Sequence, residues 1–175
     1  MTELPEAEHF GLLIIGAGSG NTLPPGDASG PTTAIVDDGE HFGGTCLNVG
    51  CIPTKMFVHV ADVVRNARDA ERLGVHDVRL RPSWPEVRDR VFGRIDHISE
   101  SGEHYRESGN PRVTLVRERV EMLGDREALT ASGRRLRADT LVIAAGSRAR
   151  QHDVVPLDSA LVHTSDTIMR VDVVP

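Results

Sequence analysis

Both cysteines of the chain lie in one short segment, GGTCLNVGCIPTK, which covers residues 43–55. Cys46 and Cys51 are five positions apart, and a disulfide requires Cα atoms within about 4.4–6.8 Å of each other. An extended chain would separate them by about 17 Å and an ideal helix by about 7.5 Å, so we expect a turned, irregular coil. A bridge closing so small a loop would stabilise the fold by only about 2 kcal/mol. The spacing therefore favours a redox-active pair over a structural disulfide.

Two other interpretations of the cysteines stay open, namely a pair of unpaired buried thiols and half of a metal site. The chain has no second cysteine pair and no clustered histidines to complete a zinc site. A helix is predicted to begin at Pro53, directly after Cys51. The partial positive charge at its N-terminus would favour a thiolate at Cys51.

A glycine-rich turn, GAGSGN, follows a buried apolar run at residues 10–15. Gly16 and Gly18 match the first two positions of a dinucleotide-binding fingerprint, where glycine permits a tight turn and close approach of the backbone to a pyrophosphate. The third glycine position falls on Asn21, with Gly20 one residue earlier. Because asparagine tolerates unusual dihedral angles, we expect the turn to survive this change. An ordinary turn between two strands is the alternative interpretation.

The fingerprint also requires an acidic residue about 20 positions further on, which accepts a hydrogen bond from the adenosine ribose. Asp37 lies at the end of the next apolar strand, TTAIVDD, and Asp38 is the alternative. Between the two strands, TLPPGDASGP contains Pro24, Pro25 and Pro31. Interior prolines break helices, so at most a turn is predicted where a dinucleotide-binding domain has its first helix.

The remaining pattern predicts an α/β fold. Apolar residues recur at helical spacing in residues 53–74, which end at Gly74, and in residues 83–107, which begin with Ser83 and Glu86 at capping-box spacing. Further strands are predicted at RVTLV, RVEML, EALTA and ADTLVIAAG. This order of elements is typical of a doubly wound domain with a mostly parallel sheet, flanking helices and a small antiparallel β-meander.

The net charge is −6, from 20 basic and 26 acidic residues without a dense basic patch. Nucleic acids and anionic membrane surfaces are therefore not expected partners. No apolar run is long enough for a membrane span, and no signal peptide is evident. The cytoplasm is the expected compartment.

The motifs GAGSGN, GGTCLNVGCIPTK and TLVIAAGS, in this order, resemble the FAD-binding domain of the pyridine nucleotide-disulfide oxidoreductases. The resemblance extends from residue 10 to about residue 170. Within the family, GSGN, VFGRID, SGEHYR and HTSDTIMR are most similar to the mycothione reductase branch. The lipoamide dehydrogenase and mercuric reductase branches share the cysteine segment and are the alternatives.

The resemblance implies a role for each matching residue. Cys46 would attack the substrate disulfide, Cys51 would face the flavin, and Lys55 would lie beside the isoalloxazine ring. The other FAD contacts would come from Gly16, Gly18 and Ser19 at the pyrophosphate, Asp37 at the ribose, Gly44 and Thr45 in the cysteine segment, Val120 at the adenine, and Ala145, Gly146 and Ser147. The alternative interpretation of Lys55 is a surface lysine, and simple packing is the favoured interpretation of Val120.

The resemblance also implies parts that the sequence does not match. Members of the family continue with an NADPH-binding domain and a dimer-interface domain. We therefore expect residues 1–175 to be a truncated FAD-binding domain of a homodimeric enzyme that reduces a small-molecule disulfide, and not to turn over alone. A non-catalytic remnant and one half of a split enzyme are the competing hypotheses.

Overall fold

The computed structural model describes residues 5–150, 153–155 and 159–174. The chain divides into two compact units. The first comprises Met1–Gly44 and Ile98–Ser147, and the second comprises Thr45–His97 and Arg148–Pro175.

The first unit is built on a six-stranded sheet with the order β3-β2-β1-β6-β5-β4. Its strands are β1 (Ala7–Ile15), β2 (Thr33–Val36), β3 (Val113–Val116), β4 (Val120–Gly124), β5 (Glu127–Thr130) and β6 (Arg135–Ile143). The pairs β3–β2, β2–β1 and β1–β6 are parallel, whereas β6–β5 and β5–β4 are antiparallel. The prediction of a Rossmann-like, mostly parallel sheet with a small antiparallel meander is confirmed.

Apolar side chains cover both faces of this sheet. All four residues of β2 are buried, as expected for a parallel strand in the middle of a sheet. One core cluster contains Phe10, Leu13, Ala34, Val36, Val116, Ala128, Leu136 and Ala138. The second contains Ile14, Ala17, Ile35, Phe42 and Val113. Alternation of neighbouring residues between the two clusters, as in Leu13 and Ile14, follows the two-residue period of a strand.

The register brings the carboxyl ends of the parallel strands to one edge of the sheet. Ile15 pairs with Val36 on one side and with Ile143 on the other, and Val36 pairs with Val116. In open α/β sheets this edge carries the ligand site. The segments that leave it are 16–21, 37–38, 117 and 144–147.

The connection from β1 to β2 contains only a short 3-10 turn, Ser19–Thr22. This agrees with the prediction that the prolines exclude a full helix.

The second unit is helical. It contains α1 (Gly44–Asn48), α2 (Cys51–Asp69) and α3 (Trp84–His104), of which α1 begins and α3 ends in the first unit, and a short α4 (Ser165–Ile168). A 3-10 turn, Ala70–Leu73, follows α2 and ends at Gly74, whose φ of 82° is left-handed, as predicted for a C-terminal cap. The core consists of Val91, Phe92 and Ile95, against which Leu47, Met56, Phe57 and Met169 pack. None of the helices that the structure describes is long and apolar enough to cross a bilayer.

Candidate functional site

The glycine-rich turn begins at Gly16, where only glycine fits. Its φ is +107°, and a Cβ atom there would lie 2.1 Å from the Ala144 carbonyl oxygen. The Gly16 N–H donates to the Val36 carbonyl at 2.7 Å. The turn is therefore wedged between the ends of β2 and β6, as the first glycine of the fingerprint requires.

The close packing expected at the third glycine of the fingerprint is provided by Gly20, whereas Asn21 makes hydrogen bonds to the turn. Gly20 is buried, and a Cβ atom there would come within 2.8 Å of Ala144 and 2.9 Å of Ile14, so this position provides the close packing. Asn21 does not use the unusual dihedral angles that we expected, because Asp77 alone among the described non-glycine residues has a positive φ. Its side chain instead donates from Nδ2 to the Ala17 carbonyl at 3.0 Å and to the Gly18 carbonyl at 2.9 Å.

Of the two candidate acids, Asp37 contacts the glycine-rich turn. Its Oδ2 accepts a hydrogen bond from the Ala17 N–H at 2.7 Å, and its Oδ1 accepts one from the Gly39 N–H at 2.9 Å. Asp38 is exposed. The geometry therefore favours Asp37 over Asp38 as the acid of this site.

Arg117 was not among the predicted site residues. Its Nη1 donates to Asp37 Oδ1 at 2.8 Å, and its Nε pairs with Glu103 Oε1 at 2.7 Å. Its Nη2 donates to the Gly39 carbonyl. The signal was its position directly after β3, at the same sheet edge as Asp37, which is visible only once the strand order is known.

The glycine pair before the cysteines packs against the glycine-rich turn. Gly43 and Gly44 have φ values of 102° and 69°. A Cβ atom on Gly44 would lie 2.6 Å from the Gly18 Cα atom. Two backbones thus meet without side chains between them, and Gly44 lies two residues before Cys46 in the sequence.

The other residues predicted on this unit are placed differently. Ala145, Gly146 and Ser147 follow β6 and are exposed, and the Ala145 Cα would lie 3.1 Å from a Cβ on Gly16. Ser19 is exposed at the start of the 3-10 turn. Val120 begins β4 and packs against the first core cluster, which supports its interpretation as a packing residue. Binding roles for these residues stay predictions.

The structure brings the two cysteines together. Cys46 lies in α1, Cys51 is the first residue of α2, and both are exposed free thiols that share a side-chain hydrogen bond. Their exposure contradicts the alternative of a buried thiol pair. The prediction of an irregular coil was wrong, because helical segments flank a break at 49–50. Gly50 allows this break, since a Cβ atom there would lie 2.9 Å from the Thr45 carbonyl oxygen.

The contact between the thiols changes the acidity of Cys46. The hydrogen bond with Cys51 raises the pKa of the Cys46 thiol above its ordinary value, and partial loss of water adds to the rise. The Cys51 backbone N–H, which donates to the Cys46 sulfur, and the charge of Lys55 lower this pKa by less. The helix α2 begins at Cys51, two residues before the predicted start, so its first N–H acts on Cys46.

Lys55 is exposed on the second turn of α2 and lies close enough to Cys46 to affect its ionisation. Thr45 is exposed in α1 and accepts the Val49 N–H at 3.0 Å through its carbonyl. The dithiol segment therefore places Thr45, Cys46, Cys51 and Lys55 on one exposed stretch of the second unit.

Comparison with known proteins agrees with this pattern of motifs. The sequence profile of the pyridine nucleotide-disulphide oxidoreductases matches residues 10–174. The chain belongs to this family. It is 42% identical over 173 residues to mycothione reductase from Mycobacterium tuberculosis (strain CDC 1551 / Oshkosh), a match that covers 96% of this chain and 37% of that protein.

Identity to two relatives with other names is lower. Identity is 28% over 181 residues to dihydrolipoyl dehydrogenase from Bacillus subtilis (strain 168), covering 97% of this chain and 38% of that protein. It is 29% over 170 residues to glutathione reductase from Burkholderia cepacia, covering 95% and 36%. The chain thus spans a little over a third of the length of these relatives.

Proposed function

We propose that this chain is the FAD-binding, dithiol-bearing part of a flavin-dependent disulfide reductase. The observation that carries the proposal is the exposed, hydrogen-bonded pair of Cys46 and Cys51. Two residues before Cys46 lies Gly44, the second member of a glycine pair, which packs against a dinucleotide-type turn at Gly18. A structural disulfide or a zinc half-site would have no need of that turn.

The glycine-rich turn suits the diphosphate of FAD. A Cβ atom on Gly16 would lie 2.1 Å from the Ala144 carbonyl oxygen, and one on Gly44 would lie 2.6 Å from the Gly18 Cα atom, so only bare backbone fits at these two positions. None of the described residues accepts a hydrogen bond from the N–H of Gly18 or Ser19, so both groups are available to phosphate oxygens. Ala145, Gly146, Ser147 and Thr45 are proposed as further contacts, and Val120 as a backbone contact to the adenine.

Asp37 retains the capacity to accept a ribose hydroxyl. A carboxylate offers about four lone-pair sites. Three are taken, by the Ala17 and Gly39 N–H groups and by Arg117. The site that remains is on Oδ2, the oxygen that receives only the Ala17 N–H. We assign the ribose contact to this oxygen.

Bound FAD would supply the two electrons that convert a Cys46–Cys51 disulfide to the dithiol, with Cys51 and Lys55 facing the flavin. In the dithiol form, a Cys46 thiolate attacks one sulfur of the substrate disulfide and displaces the first substrate thiolate, which takes up a proton. The mixed disulfide at Cys46 is then attacked by the Cys51 thiolate. The second substrate thiol leaves and the Cys46–Cys51 disulfide forms, so the dithiol is oxidised and the substrate reduced by two electrons.

For the whole protein we propose mycothiol disulfide as the substrate, because identity to mycothione reductase is 42%, against 29% to glutathione reductase. NADPH is proposed as the source of the electrons, two copies are proposed to associate, and the cytoplasm is the proposed location.

The test uses the purified chain with and without FAD. Bound flavin absorbance is expected after gel filtration, and the pre-reduced chain is expected to release two thiols per chain from mycothiol disulfide. Cys51→Ser should release one thiol and keep a mixed disulfide, whereas Cys46→Ser should release almost none. Glutathione disulfide serves as the comparison substrate. A colourless chain whose two single variants release equal amounts of thiol would contradict the proposal.

A further inference from the structure

Asn21, at the third fingerprint position, makes side-chain hydrogen bonds that a glycine could not make. Asn21 donates from Nδ2 to two successive carbonyl groups of the turn, those of Ala17 and Gly18. In a trans peptide the C=O and N–H groups point in opposite directions. The N–H groups of Gly18 and Ser19, which share these two peptide planes, are therefore directed away from Asn21. A single side chain thus orients two adjacent donors of the turn.

The orientation of the Asn21 amide is set by Arg106, which lies in the π-helical turn Tyr105–Gly109 that follows α3. Arg106 Nε donates to Asn21 Oδ1 at 3.3 Å, and its Nη2 donates to the Asn21 carbonyl at 2.5 Å. A guanidinium group has only donors. Oδ1 must therefore face Arg106, which leaves Nδ2 facing the two carbonyl groups.

Arg106 is itself a buried cation, and the part of the chain that the structure describes contains no neutralising partner for it. It is 8% exposed, and its Nη1 is a buried donor with no acceptor. The ion pairs among the described residues do not include Arg106, and the Tyr105 ring, 5.4 Å from the guanidinium carbon, is its cation–π contact. A buried charge is costly unless an opposite charge lies nearby. An anion at the glycine-rich turn would provide that charge.

We propose that Asn21 and Arg106 are positioning residues for the diphosphate of the bound dinucleotide. Asn21 directs the Gly18 and Ser19 N–H groups at the phosphate oxygens, while Arg106 fixes Asn21 and adds a positive charge behind the turn. The inference rests on the proposed function and deepens it, since it explains why asparagine stands where the fingerprint has glycine.

The test compares ligands that do and do not carry a diphosphate. FAD affinity is measured by flavin fluorescence, and ¹⁵N NMR titrations of the 19.0 kDa chain follow ADP and adenosine. In the wild type, ADP is expected to shift the amide signals of Gly18 and Ser19, and adenosine is not. Asn21→Gly and Arg106→Gln should each weaken FAD and ADP at least about tenfold and leave adenosine binding unchanged.

Two further variants test whether the effect of Arg106 comes from its charge and its position in the fold or from a general folding defect. Arg106→Lys keeps the charge and should retain the steep loss of FAD affinity with added salt, which Arg106→Gln should flatten. Arg119→Gln removes an exposed charge from the same unit and should change neither quantity. A general folding defect would weaken adenosine and ADP together.

The outcomes distinguish this inference from the proposed function. Wild-type binding of FAD with an Asn21→Gly variant of equal affinity would overturn the role of Asn21. Equal behaviour of Arg106→Gln and Arg119→Gln would overturn the role of Arg106, and both results would leave the proposed function standing. A wild-type chain that binds neither FAD nor ADP, or ADP binding without shifts at Gly18 and Ser19, would overturn the inference even if no variant folded. Only the first of these two results would also overturn the proposed function.

Discussion

Replacing Gly44 by alanine tests the contact between the glycine pair and the glycine-rich turn. With a φ of +69°, an alanine at this position pays left-handed backbone strain of about 1–2 kcal/mol. The new Cβ atom would lie 2.6 Å from the Gly18 Cα atom, and overpacking of this kind costs roughly 1–3 kcal/mol. The sum, about 2–5 kcal/mol, is a large part of the roughly 5–15 kcal/mol that stabilises an ordinary domain.

The matched control is Gly133→Ala. Gly133 has a φ of +90°, but a Cβ atom there would meet nothing within 4 Å. This variant should therefore lose only the strain contribution, about 1–2 kcal/mol. Urea unfolding followed by circular dichroism gives the free energy of unfolding of each variant, and flavin fluorescence gives its FAD affinity. If Gly44→Ala were no more destabilised than Gly133→Ala and bound FAD equally well, the close approach of Gly44 to Gly18 would be refuted.

Three further predictions concern the thiols and the acidic network. Because the hydrogen bond between the Cys46 thiol and Cys51 is the main reason that the Cys46 pKa is raised, Cys51→Ala should lower that pKa and speed alkylation of Cys46 by iodoacetamide, measured by mass spectrometry at a fixed pH below the ordinary cysteine pKa of about 8.5. Lys55→Met should raise the same pKa and slow alkylation, because a lowering charge is lost; the same direction of change in both variants would contradict the assignment of causes. Arg117→Gln should lower the free energy of unfolding by roughly 1–3 kcal/mol, since it leaves a carboxylate that is only 16% exposed without its charged donor. The control is Arg134→Gln, because the side chains of the Arg134–Glu8 ion pair are 37% and 45% exposed. Urea unfolding of this variant should show a loss of no more than about 1 kcal/mol in the free energy of unfolding. Equal losses in the two variants would mean that burial of the Arg117–Asp37 pair has no energetic effect.

The strands and the order of elements could be predicted from the sequence because their signals are local. The apolar runs of β1 and β2 are buried in the sheet, and β4, β5 and β6 overlap the predicted segments RVEML, EALTA and ADTLVIAAG. Pro24 and Pro25 excluded a first helix, and the structure has a four-residue turn before them. In each case the deciding physical cause, a side-chain period or a missing N–H, belongs to the segment itself.

The site could be predicted only in part, because its remaining contacts join distant parts of the chain. The Asp37–Arg117 pair bridges 80 positions, and the Asn21–Arg106 contact bridges 85. Neither separation leaves a pattern in the sequence until the strand order places the ends of β1, β2 and β3 together. We expected Asn21 to fit the turn because asparagine tolerates unusual dihedral angles, which is a local property. The structure shows that Asn21 instead makes hydrogen bonds to the turn and to Arg106.

The two cysteines lie together, but the helix that follows them begins earlier than we predicted. We expected the N-terminus of the following helix to act on Cys51, but α2 begins at Cys51 and its first N–H donates to the Cys46 sulfur. That donor opposes the thiol–thiol hydrogen bond, and the raised pKa of Cys46 shows that the thiol contact has the larger effect. The same contact holds Cys51 beside the sulfur that it must attack in a mixed disulfide, where proximity replaces a second-order encounter. The contact between the two thiols therefore raises the pKa of Cys46, and it also allows Cys51 to close the disulfide rapidly. Closure of the Cys46–Cys51 disulfide should accordingly be faster than attack of an external free thiol on the same mixed disulfide.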